Sequence, residues 1–162
     1  MKMSIESAQQ LQWFLTVLIN DELSATYLSG GDHPNTWQFS VEAVYRLKLC
    51  DLVDFDFDVL TKSDKSPDTT YDGLDDFCRH LAMVDPDDWG ADEIIWIDAQ
   101  MHLTPKGRSL VEFYFKDFDS EHEINIPFIE HLERIFAEYQ APWNEQNPSF
   151  PVDISKLPSG FF

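Results

Sequence analysis

Positive charge is what this sequence has least of: 11 lysines and arginines stand against 30 aspartates and glutamates in 162 residues, a formal net charge of −19. A surface of that sign repels phosphate, which excludes a generic binder of nucleic acid or of anionic membranes and makes a basic macromolecule the expected partner. Cysteine is nearly as scarce. Cys50 and Cys78 are the only two, and with no CxxC spacing they read as buried free thiols in a reducing compartment. There is no HExxH pair, no Gly-rich phosphate loop and no nucleophile elbow, so no hydrolase or phosphoryl-transfer signature is present and no cofactor is expected. The apolar run in MKMSIESAQQLQWFLTVLIN is too short to span a bilayer, follows Glu6 and precedes no small-residue cleavage site. The reading is therefore a cytoplasmic protein with neither signal peptide nor membrane span.

What the chain does have is core material and clustered acid. Hydrophobic residues make up 43%, thirteen of them phenylalanine, ample for one well-filled domain. Between Asp51 and Asp98 fifteen acids face only Lys62, Lys65 and Arg79, so this segment holds −12 of the −19. A solvating acidic coat should spread over the whole surface instead.

Within that segment, LVDFDFDVL sets Asp54, Asp56 and Asp58 strictly between Val53, Phe55, Phe57 and Val59. Period-two alternation predicts a half-buried strand over 53–59 with the apolar residues inward and the carboxylates in one outward row, recurring about every 6.6 Å. Such a row is a solvated, aggregation-resistant face or a surface that waits for a cation. The same residues resemble the opening of a D-x-D-x-D-G calcium loop, but Val59 stands where the turn needs glycine and Lys65 where the bidentate glutamate belongs. A metal-dependent enzyme using the three aspartates is thus only a second alternative.

Elsewhere the spacing predicts an amphipathic helix over 5–27, capped by Ser4 or Ser7, and a loop at SGGDHPN. A second helix should follow from a Ser40 cap, with Ala43, Val44, Leu47 and Cys50 on one side. A third, over 71–84, places Tyr71, Leu74, Phe77, Cys78 and Leu81 inward and Asp72, Asp75 and Asp76 outward. DPDDWGADE reads as a turn at 85–93. There Asp85, Asp87 and Asp88 beside Trp89 suit an interface in which an aromatic stacks on an arginine while carboxylates pair with neighbouring bases. EIIWIDAQMHL alternates as a strand or strand pair, Thr104 and Pro105 cap a helix to about Phe115, and a last helix starts near Pro127. From Ala141 prolines and aromatics without periodicity predict an extended tail, 141–162, packed on the domain through Trp143 and Phe150.

Taken together, AVYRLKLCDLV at 43–53 and LTPKG at 103–107 resemble the recognition helix and the wing-to-helix LTxxG motif of winged-helix domains. The resemblance implies an α+β fold, mainly helical, with a small antiparallel sheet in one domain over 1–140. It also departs from the family. A long acidic helical insert, 61–92, stands where a short basic wing is usual, and Arg46 and Lys48 are the recognition helix's only bases. A winged-helix regulator or adaptor is accordingly the alternative reading. In size, acidity and lack of catalytic motifs the chain is similar in character to immunity proteins of bacterial toxin systems, contact-dependent growth inhibition among them. That likeness implies a non-enzymatic inhibitor that binds a basic toxin, such as a nuclease, through Asp54, Asp56, Asp58, Asp72, Asp75, Asp76, Asp85, Asp87, Asp88 and Trp89.

Overall fold

The computed structural model describes residues 1–28, 35–56, 71–87, 95–116, 123–153 and 155. Ser4 opens the first helix, α1 (Ile5–Val17), by accepting the Ser7 amide at 3.2 Å. Leu11, Phe14 and Leu15 are buried on one side of it. The helix does not run to residue 27 as the periodicity predicted. Leu18 caps it, and Leu23–Ser24 becomes β1, paired with Gln100 and Met101, before a 3-10 turn at Ala25–Leu28. Backbone pairing with a neighbouring strand has overridden an apolar pattern that suited either state.

α2 (Asn35–Leu49) starts earlier than the expected Ser40 cap, because Trp37 is fully buried with its indole N–H on the Leu81 carbonyl at 2.8 Å. Ser40 sits inside the helix and donates to the Thr36 carbonyl. α2 ends in a left-handed corner: Asp51 has φ 59°, the Leu52 amide reaches Leu47 O and the Asp51 amide reaches Lys48 O, both bonds of a Schellman motif. That corner turns the chain into β2 (Val53–Phe55), whose burial alternates as expected, Val53 and Phe55 inside and Asp54 outside. Phe57, Asp58 and Val59 lie outside the described residues.

In the acidic insert, α3 (Leu74–Leu81) is shorter than the expected 71–84 but buries Phe77, Cys78 and Leu81 as predicted. The expected strand at 93–103 is half correct. Ile95–Asp98 is instead one helical turn, α4, and only Gln100–Leu103 forms a strand, β3. Ile95 and Trp96 are adjacent and both buried, which a strand with one inward face does not permit, and the Trp96 indole donates to Val84 O at 2.6 Å.

The sheet is antiparallel in the order β1-β3-β2. Thr104 then caps α5 (Pro105–Tyr114) by accepting the Gly107 amide at 3.0 Å. The glycine in LTPKG has a steric reason: a Cβ there would lie 2.0 Å from the Leu52 carbonyl oxygen. Asn125 caps α6 (Ile126–Glu138), which buries Phe128, Leu132, Ile135 and Phe136. The predicted stripe stops short of Tyr139, which is exposed. Gln140, at φ 61°, closes α6 with a second Schellman corner, Ala141 N to Phe136 O and Gln140 N to Ala137 O. The architecture is thus α+β, mainly helical around a small antiparallel sheet, and residues 141–153 after α6 are irregular. Among the described residues no helix is long and apolar enough to cross a membrane.

Candidate functional site

The outward face of the sheet answers what the aspartate row meets. Asp54 pairs with His102 across β2 and β3, and continuing the β1 register by one residue puts Glu22 opposite His102 on the other side. The three strands therefore carry Glu22, His102, Asp54 and Asp56 on one face. Lys48, from the last turn of α2, donates to Asp54 Oδ1 at 2.9 Å and holds that carboxyl below its ordinary range. Asp54 is still half exposed, at 53% of its side chain. Asp56 is not the exposed middle of a free row. Its Oδ1 lies 2.5 Å from His102 Nδ1 and its side chain is 15% exposed. The Asp56 amide donates to Gln100 O, which carries the sheet one residue beyond β2 and brings the carboxylate to the imidazole nitrogen. Glu22, hydrogen-bonded to Asp56 and repelled by its charge, has its pKa raised. Beside this row a polar groove of about 540 Å³ is lined by Asn20, Asp21, Glu22, Gln100, His102 and Arg108, with Leu18 and Ile19 also on its walls.

The remaining predicted residues do not all join that face. Asp72 and Asp75 are exposed around the start of α3, and Asp76 is partly covered. Two of these acids have local roles: Asp76 accepts the Asp72 amide at 2.9 Å and approaches His80 one turn on, while acids in a first helical turn favour the helix dipole. Asp85 corrects the expectation of a surface knot. It is 5% exposed and accepts the Asp87 amide at 2.9 Å; Asp87 itself is exposed. Asp58, Asp88 and Trp89 lie outside the described residues. Among the described residues no group of histidine, cysteine, aspartate and glutamate is arranged to hold a metal ion.

Both thiols are free and buried, and burial pushes Cys50 up to about 11 and Cys78 higher still. Neither is an activated nucleophile.

The largest departure from the sequence reading is on α2. Gln38, Glu42 and Arg46 stand four residues apart on α2 and form a polar track. The tail lies along it. Gln38 donates to Phe150 O and accepts from Val152 N; Glu42 accepts the amides of Ser149 and Phe150 at 2.7 and 3.1 Å. Arg46 is 2% exposed, donates to the carbonyls of Ala141 and Pro142, and pairs with Glu42 at 3.3 Å. Trp143 is buried beneath it and Phe150 meets Tyr45 edge-on at 4.9 Å. The residues on which phosphate recognition by this helix would depend are therefore used internally, Arg46 by the tail and Lys48 by Asp54. Lys106 and Arg108 also donate within the chain, to Cys50 O and Ile19 O. The signal for the track was present in the sequence as three polar residues at helical period four between Phe39, Val41, Val44 and Leu47.

No protein-family model, no curated protein and no solved structure matches the chain.

Proposed function

We propose that this chain is an acidic protein-binding inhibitor of the immunity type, neutralising a basic partner such as a nuclease toxin domain by covering its active or nucleic-acid-binding surface. The observation that carries this reading is the internal use of Arg46 and Lys48. It leaves α2 without a free cation for phosphate, while Asp54, Asp72, Asp75 and Asp87 remain exposed. A channel that holds substrate phosphates is lined by lysine and arginine, and carboxylates fixed on a strand and a helix end can occupy the phosphate positions. Long-range attraction then speeds encounter, and packing at the interface sets residence time.

The order α1, β1, α2, β2, β3, α5, with α3 and α4 inserted between β2 and β3 and with β3 in the middle of the sheet, supports a winged-helix-like scaffold beneath this function. A scaffold does not fix a function, and on this one the groups that would read DNA are neutralised.

The test is affinity capture with the wild-type chain and with Asp54→Asn/Asp72→Asn/Asp75→Asn, followed by reconstitution with the purified partner and assay of the partner's activity. A basic protein inhibited at one-to-one stoichiometry by the wild type is the expected result. A salt-sensitive gel shift with total genomic DNA would instead favour the regulator reading.

A further inference from the structure

The middle strand of the sheet carries a histidine between acids. His102 on β3 has Asp54 and Asp56 on the β2 side and Glu22, the residue before β1, on the other. Asp56 is the hub of this group. Its Oδ1 meets His102 Nδ1 at 2.5 Å and its carboxylate is also hydrogen-bonded to Glu22, so side chains from three neighbouring segments form one hydrogen-bonded chain. A carboxyl bonds a carboxylate only by supplying a proton, and an imidazole facing a carboxylate donates through the nitrogen it presents. The Nδ1 proton is therefore fixed. Two others can leave without breaking the imidazole's contact to Asp56: the one on His102 Nε2 and the one between Glu22 and Asp56.

The cations nearby are committed elsewhere. Lys48, from α2, is on Asp54 at 2.9 Å, and Arg108, from α5 on the groove wall, donates to Ile19 O and to Glu112. Among the described residues the charged groups around His102 are thus Asp21, Glu22, Asp54 and Asp56 against Lys48 and Arg108. Acid outnumbers base.

We infer that Glu22, Asp56 and His102 act as one proton-holding unit that gates the charge of this sheet face, so that the face takes up a basic partner when deprotonated and releases it in acid. The inference rests on the reading of the chain as a binder of basic proteins and adds how that site is regulated. The direction follows from the neighbours. Asp56 keeps Glu22 protonated to higher pH than an ordinary glutamate, and imidazole is the side chain whose charge ordinarily changes between about pH 5 and 8. Each proton lost between acid and neutral pH makes the face more negative by one charge. A lysine or arginine brought to the face favours that loss, so binding of the partner and release of protons are linked. Asp54, held below its ordinary range by Lys48, stays charged and supplies a constant background.

The test is an NMR titration of the full ¹³C,¹⁵N-labelled chain from about pH 4 to about pH 8, a range that spans ordinary glutamate and histidine. The His102 imidazole resonances are assigned by their loss in His102→Gln. The wild-type curve should show two steps, because loss of the Glu22 proton is felt at His102 through Asp56, and Glu22→Gln, a change at an exposed position, should leave one. A single wild-type step that coincides with that of Glu22→Gln overturns the inference. A second arm adds decalysine at low salt, at the pH where His102 is half titrated. The imidazole should move toward its deprotonated position, its proton affinity falling about threefold for each lysine charge seated several ångströms away in water. A glycine–serine peptide of the same length should leave it in place. If decalysine shifts the amides of Asp72 and Asp75 but not His102, the gate fails and the basic-partner reading stands. If it shifts neither, both fail.

Discussion

The Arg46 guanidinium lies over the Trp143 ring, 5.2 Å from its centroid, and together they join the middle of α2 to the first residues of the tail. Around this contact Arg46 makes every available bond inward, to Glu42 and to the carbonyls of Ala141 and Pro142. A base that a linear reading places on a recognition surface is instead the peg that holds the C-terminal segment.

Arg46→Ala should destabilise the chain by about 3 to 5 kcal/mol, the usual cost of breaking a buried ion pair, and free residues 141–153. Arg46→Lys should recover little, since an ammonium cannot reproduce a fork shared among three carbonyls and a carboxylate. Urea unfolding gives the first quantity, and limited proteolysis between Ala141 and Asp153 the second. An unchanged midpoint would show that the tail is held without Arg46, by its aromatics and by Gln38 and Glu42.

Two backbone positions make opposite predictions. Gly107→Ala sets a Cβ against the Leu52 carbonyl and should cost several kcal/mol or displace α5, because the opposing atom is backbone and cannot rotate away. Asp51→Gly relaxes a left-handed residue in the corner after α2 and should stabilise by about 1 kcal/mol. Paired denaturation curves of the two variants check both signs.

Glu22 supplies a pH signature. Its folded pKa is raised by Asp56, so its contribution to stability is complete below its ordinary pKa and is lost as pH rises through the raised value. Glu22→Gln should therefore raise the melting temperature at neutral pH and have little effect in acid below the ordinary glutamate range. A stabilisation of equal size at both ends would place its origin in packing rather than in charge.

How legible was this in the sequence? Patterns read over short range survived: the alternation of Val53, Asp54 and Phe55, the Thr104 cap, the inward stripe of α3 and the burial of both cysteines. What failed was set by distant partners. Leu23 and Ser24 fit a helix by spacing, but β3 recruits their backbone; Ile95 and Ile97 fit the inward side of a strand, yet Trp96 between them is buried on the Val84 carbonyl and the segment winds into a turn. At the candidate site the acidic residues were visible, whereas their partners were not, because His102 and Glu22 reach them across the sheet and Lys48 from the end of α2. The tail's docking was foreseeable from Trp143 and Phe150, but the polar track that receives it was hidden within a helix read for its apolar side.

On the proposed function, exposed carboxylates on β2 and around the start of α3 steer a basic partner. Stopped-flow association of the purified partner with wild type and with Asp54→Asn/Asp72→Asn/Asp75→Asn, at several salt concentrations, tests it most directly. Complementary fields raise association rates by about 10 to 1,000-fold at low ionic strength. The wild-type rate should fall steeply with salt, and the variant should associate more slowly with a flatter slope while its dissociation rate changes little. Identical salt slopes for the two proteins would contradict the account and reduce these aspartates to a solvated face.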